Sequence, residues 1–252
     1  MGLTIELQNV SKFFGNLRAV DDVSVGIEEK TLTILIGPNG SGKTTLINTI
    51  AGFYHADAGR VIFMGKDITR LPPHELYKLG LARTFQIPNL FWKLTVLENV
   101  MAAAKGNPGE SFLRSLVKAT WVKKEREVAE EAFKLLELVG LYEAWDKQAE
   151  SLSGGQMKLL EIGRGLMGGA KVVLLDEPIS GVNPRLAYEI FEKLVTLRND
   201  LGITFFIIEH RLDIALKYVD SVVAMAFGKL IATGKPEAVM ADPRLIEAYL
   251  GG

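Results

Sequence analysis

Apolar and polar positions alternate along LTIELQNV and again along VDDVSVGI, with the turn-like FFGN between, so the first thirty residues read as strands. TLTILIG follows as an unbroken apolar run, the pattern of a strand buried on both faces of a parallel sheet. A helix is expected from Gly42 to about Ala51, turning Leu46, Ile47 and Ile50 inward. AGRVIFMGKDI reads as one further short strand bounded by glycines. From about Asn89 to Glu150 the strand signals vanish, and EREVAEEAFKLLELVG sets Val128, Ala132, Leu135 and Val139 on one helical stripe. Two β runs then return, KVVLLDEP and ITFFIIEH, around a helical segment from Arg185 to Asn199. Strand, helix, strand at this spacing implies parallel crossovers and an α/β core.

Composition adds bounds. The 252 residues allow one large domain or two modest ones, and 48% hydrophobic with 23% charged residues is ordinary for a globular chain. A net charge of -1, from 29 basic and 30 acidic side chains, gives no electrostatic reason to expect nucleic acid as a partner. The absence of cysteine excludes disulfides, thiol catalysis and cysteine-ligated metals. MGLTIELQNV lacks the basic start and apolar run of a signal peptide. A membrane span needs about 20 mostly apolar residues, and the apolar runs here are far shorter. The chain is therefore expected to span nothing while remaining free to dock on a protein that does.

GPNGSGKT, at residues 37–44, stands between a predicted strand and a predicted helix, the context of a P-loop. Gly37, Gly40 and Gly42, with Pro38, Asn39 and Ser41 between them in the same loop, let backbone N–H groups converge on phosphate oxygens, and the helix start adds its positive dipole end. Lys43 is placed to reach the β- and γ-phosphates of a nucleotide and Thr44 to bind Mg2+, with Thr45 following in the same turn. VVLLDE, at residues 172–177, delivers Asp176 to the C-terminal end of a strand, where α/β sheets place ligands. There Asp176 suits a magnesium shell, and Glu177 can take a proton from an attacking water. His210, after ITFFIIE, can bond a γ-phosphate, orient the water or simply cap its strand.

LSGGQ, at residues 152–156, is a second glycine-rich helix start. Ser153 is expected to N-cap a helix through QMKLLEIGRGLM, with Leu159, Ile162 and Leu166 on a buried stripe. Its hydroxyl and the Gly154 and Gly155 amides make either an anion site or a capped start with no ligand.

Taken in order, GPNGSGKT, Gln86 in ARTFQ, LSGGQ, VVLLDEP and His210 in IIEH resemble the ATP-binding subunits of ABC transporters over nearly the whole chain. The resemblance implies an α/β fold: a P-loop NTPase core with a parallel sheet, an N-terminal antiparallel β-subdomain and an α-helical insertion. Core and β-subdomain would cover 1–88 and 151–252 of a single cassette, and the helical subdomain about 89–150. It implies that Gln86 touches magnesium and the nucleophilic water. It also implies that Phe14 in SKFFG stacks on adenine, its neighbour Phe13 facing the opposite side of the strand. Two subunits, identical or similar, would meet head to tail, so that Ser153, Gly154, Gly155 and Gln156 of one close over the γ-phosphate held by the other. ATP and Mg2+ are the implied cofactors. Separate transmembrane permease subunits are the implied partners, reached through the segment from Ile87 to Val100, with a solute-binding protein acting indirectly. The implied location is peripheral, on the cytoplasmic side of the cell membrane.

ISGVNP occupies the place of the loop that crosses the dimer interface, with Asn183 where many relatives carry aspartate. GLARTFQIPNLFWKLTVLENV, QMKLLEIGRGLM, DEPISGVNP and the ending DPRLIEAYLGG most resemble subunits that serve branched-chain amino acid uptake. Related subunits serve urea, other amides or lipid export. The absence of a guanine-reading NKxD pattern and the presence of LSGGQ argue against an ordinary P-loop kinase or GTPase. One cassette with a short insertion argues against a soluble ABC protein of ribosomes or DNA.

Overall fold

The computed structural model describes residues 2–84, 88–106 and 118–250. The chain opens with a hairpin, β1 (Leu3–Phe14) and β2 (Leu17–Glu28), followed by β3 (Leu32–Ile36) and α1 (Lys43–Ile50). Next come β4 (Ala58–Phe63), β5 (Lys66–Asp67), α2 (Pro73–Leu79) and β6 (Leu81–Arg83). Helices α3 (Val96–Met101), α4 (Lys118–Leu138) and α5 (Gly154–Met167) lead to β7 (Val172–Asp176), α6 (Pro184–Leu201) and β8 (Thr204–Ile208). The remainder is α7 (Leu212–Ala215), the hairpin β9 (Ser221–Ala226) and β10 (Lys229–Gly234), then α8 (Pro236–Met240) and α9 (Pro243–Leu250).

Two sheets result. One is antiparallel, in the order β2-β1-β4-β5; the other runs β10-β9-β3-β8-β7-β6 and is parallel except for β10. Every residue of β3 and β8 is buried, which is why their sequences show no alternation. Leu32, Ile34 and Ile36 of β3 face a core shared with α4, α5 and α6, while Leu35 faces the core beneath α1 and the antiparallel sheet.

The pairing sets the ends of three strands level. Ile208 of β8 stands opposite both Leu35 of β3 and Asp176 of β7. Residues 37–44, 177–180 and 209–211 therefore leave the sheet side by side, at its carboxyl edge.

AGRVIFMGKDI forms two strands, not one. Met64 and Gly65 both take positive φ, 49° and 78°, and fold the segment into a tight β4–β5 turn. Helix α5 packs against α3 and α4 as well as α6, so the LSGGQ helix shares its apolar stripe with the helices before it.

Candidate nucleotide-binding site

A cavity of about 570 Å³ opens beside the start of α1. Asn39, Gly40, Ser41, Gly42, Lys43, Thr44 and Thr45 line it, together with Phe14, Glu177 and His210. Gly42 is the N-cap of α1 at φ 96°, and a Cβ there would lie 2.2 Å from the carbonyl oxygen of Ala19. Only glycine satisfies both the left-handed backbone and that close approach. Because the cap offers no side-chain acceptor, the first-turn amides of α1 are left for a ligand.

Lys43 is buried, and its Nζ donates to the carbonyl oxygens of Gly37 at 2.8 Å and Pro38 at 2.9 Å. Burial pushes its pKa down from the usual lysine value, against the opposing pull of Glu177 and Asp176. An entering phosphate would replace these neutral acceptors with charged oxygens, a stronger pairing.

Glu177 follows the last residue of β7 at φ 49°, a left-handed backbone unusual for a side chain of this size. Its amide donates to Ile208 O at 3.0 Å, and its Oε1 lies 3.3 Å from His210 Nε2. Thus the two strand-end residues singled out by sequence meet in one cavity wall. Asp176 stands off that wall: its Oδ2 accepts from Arg83 Nη2 at 3.2 Å. Arg83 also bonds Asn48 of α1 and lies over the Phe53 ring.

Of the two adjacent phenylalanines, Phe14 lines the cavity while Phe13 is covered by Arg18. Phe14 meets Tyr54 edge-on at 5.3 Å, and Asp57 fixes the preceding backbone by accepting from Phe13 N at 2.6 Å. Gln86 lies outside the described residues.

Ser153, Gly154, Gly155 and Gln156 do not line this cavity. Ser153 caps α5 in a reciprocal box, its Oγ accepting from Gln156 N and Gln156 Oε1 accepting from Ser153 N at 3.0 Å. Ser153 and Gly154 are exposed. Asn183 caps α6, its side chain accepting from Leu186 N at 2.9 Å, so the amide keeps the capping function an aspartate would serve.

Four side chains near the site escaped the sequence reading. Arg83 sits within ARTFQ but shows its partner only in space. Lys158 is a lone charge on the buried stripe of α5, three residues from Gly155 and four from Ile162, and that misplacement was a readable signal. Glu209, 2% exposed, is an acid placed directly after a buried strand. It accepts from the amides of Ile179, His210 and Arg211. Arg211 Nη1 in turn donates to Val182 O at 3.1 Å.

A glycine-rich helix start beside a strand-end acid and histidine defines a P-loop nucleotide-binding protein. The description "ABC transporter" matches residues 20–180, and "Branched-chain amino acid ATP-binding cassette transporter" matches residues 229–252. The chain is 51% identical over 247 residues to the probable branched-chain amino acid transport ATP-binding protein LivG of Archaeoglobus fulgidus, covering 98% of this chain and 95% of that one. It is 34% identical to the high-affinity LivG protein of Escherichia coli over 94% of each chain. Among solved structures, a nucleotide-free cassette from an ABC transporter superposes with a TM-score of 0.85 at 48% identity, over 100% of both chains. A cassette in its ADP conformation gives 0.85 at 47%, again over 100% of both. The chain belongs to the ABC transporter family, as an ATP-binding cassette that hydrolyses ATP.

Proposed function

We infer that this chain powers branched-chain amino acid uptake by separate membrane permease subunits, pairing head to tail with a second ATPase subunit of the same or a similar sequence. The relatives' names and the match at the C-terminal segment support the solute class. Among the described residues no helix is long and apolar enough to cross a membrane, so the passage itself falls to partners. Exposed Phe91 and Trp92, with Arg164 over the Phe91 ring, offer those partners an aromatic contact on the cytoplasmic face. A solute-binding protein would act on the permease, not on this chain.

The observation that carries the dimer is the separation of the two glycine-rich starts. The exposed Ser153 and Gly154 open α5 much as the P-loop opens α1, yet they do not border the cavity of Lys43. Facing copies bring one chain's signature over the other's P-loop, so each chain supplies half of two sites.

At each site ATP lies with its base on Phe14 and its phosphates across the amides of α1 and Lys43. The Thr44 hydroxyl and the Asp176 carboxylate are hard oxygen donors that would hold Mg2+, joined by the amide oxygen of Gln86, which lies outside the described residues; the ion would neutralise charge on the β- and γ-phosphates. Glu177 accepts a proton from water as that water's oxygen bonds to the γ-phosphorus. The bond from phosphorus to the bridging oxygen breaks, and its electron pair leaves with ADP. His210, 3.3 Å from Glu177, orients that carboxylate toward the phosphate.

Glu177→Gln tests this reading. Turnover should fall about 10²–10⁴-fold, the worth of a general base, while ATP binding persists. With ATP and Mg2+ the variant should run as a dimer on gel filtration; a strictly monomeric elution would end the head-to-tail reading.

A further inference from the structure

We propose that Lys158 is a positioning residue that ties the LSGGQ helix to the chain's own general base, and so couples the two nucleotide sites that one chain helps to build. This rests on the head-to-tail reading above.

Lys158 lies on α5 one turn beyond the signature, on the face it shares with Gly154 and Gly155. Its side chain is buried, and its Nζ donates to the carbonyl oxygen of Glu177 at 2.7 Å and of Ser180 at 3.3 Å. An ammonium buried in this way needs charge-assisted partners, and it finds them in the backbone of one short turn. The carboxylates of Glu209, Glu177, Glu161 and Asp176 supply its counter-charge, while burial pulls its pKa below the usual lysine value.

The turn is gripped from its other side as well. Glu209, directly after β8 and before His210, accepts from Ile179 N at 2.9 Å. A cation from the signature helix thus holds the carbonyls of Glu177 and Ser180, and a buried carboxylate holds an amide of the same turn.

What this grip maintains is a strained backbone. A non-glycine residue at positive φ costs on the order of 1–3 kcal/mol and persists only where its surroundings over-determine it. Glu177 has φ 49°, and its carbonyl also accepts from Ser180 N at 3.1 Å. Withdrawing the ammonium leaves the strain with one restraint fewer, and the carboxylate that must meet water moves with the backbone. When the partner's γ-phosphate draws the signature inward, Lys158 carries that displacement to Glu177, 19 residues away in sequence. Hydrolysis at one site thereby becomes sensitive to closure at the other.

Lys158→Met keeps the length and removes the donors. Its kcat should fall about ten- to a hundred-fold, the worth of a charged hydrogen bond, with KM and monomer ATP affinity nearly unchanged. Lys158→Arg, which restores charge and donors, should recover most of the rate. In a Glu177→Gln background Lys158→Met should still give the ATP-bound dimer on gel filtration. If the methionine variant fails to fold, Lys158→Gln, with a single amide donor group, should show the same kcat loss in weaker form. A kcat close to wild type in the folded variants, or an equal loss in affinity and rate, would overturn the assignment. So would loss of the dimer in the double variant alone. A Glu177→Gln protein that never dimerises would instead remove the head-to-tail reading itself.

Discussion

Arg83 and Asp176, 93 residues apart in sequence, form an ion pair of 3.2 Å beside α1, with side-chain exposures of 9% and 13%. The guanidinium balances the charge of the carboxylate, which the proposed mechanism assigns to a divalent cation. Breaking a buried pair by removing one partner costs about 3 kcal/mol, because the other charge stays buried alone. Arg83→Met should therefore lower urea stability by that order without ligand. The gap from wild type should narrow with ATP and Mg2+, which neutralise Asp176 by another route, and persist with ATP in EDTA. An identical gap in both conditions would show that Asp176 does not serve the cation.

Ser153 caps α5 and is proposed to close the partner's site, and one pair of variants separates the two. Ser153→Ala removes the cap of α5 and should cost about 1 kcal/mol of stability. Ser153→Arg adds bulk and charge at the exposed helix start, and should suppress ATPase activity about a hundred-fold, as loss of an oxyanion donor does. Monomer ATP affinity, measured by calorimetry, should hold. An equal loss of monomer binding would place the signature in the chain's own cavity.

Phe14 is presented to the cavity by a backbone that Asp57 holds through Phe13 N and Lys12. Phe14→Ala should weaken ATP binding about ten-fold, the worth of one aromatic contact. Asp57→Ala should weaken it less, by loosening the same turn. The Phe13 amide, with help from Lys12, holds the Asp57 carboxyl below the usual aspartate value. A depressed carboxylate contributes above its unfolded pKa and loses that contribution as pH falls through its folded one. Wild type and Asp57→Ala should therefore converge in stability under acid and diverge at neutral pH, as thermal melts across that range would record.

The parts legible in the sequence are those whose chemistry is local. GPNGSGKT declares itself because glycine spacing, a following lysine and the flanking apolar strand all lie within one short segment. The Ser153 and Asn183 caps were likewise readable, since a capping side chain bonds an amide three residues on. The single strand expected over AGRVIFMGKDI became two because a turn with positive φ at both Met64 and Gly65 leaves only a weak trace in hydropathy.

Sequence by itself determined the glycine-rich phosphate cradle, the strand-end residues Glu177 and His210 that share its cavity, and the order of motifs. Tertiary structure decided which charges face one another: Arg83 with Asp176, Lys158 with the carbonyl of Glu177, and Glu209 with the amide of Ile179. Those partners lie 93, 19 and 30 residues apart: β6–β7 pairing brings Arg83 to Asp176, β7–β8 pairing brings Glu209 to Ile179, and the packing of α5 brings Lys158 to Glu177. Backbone acceptors carry no residue signature, so a lysine aimed at a carbonyl cannot announce its target in a sequence. It is the packing of α5 against the turn after β7 that selects it.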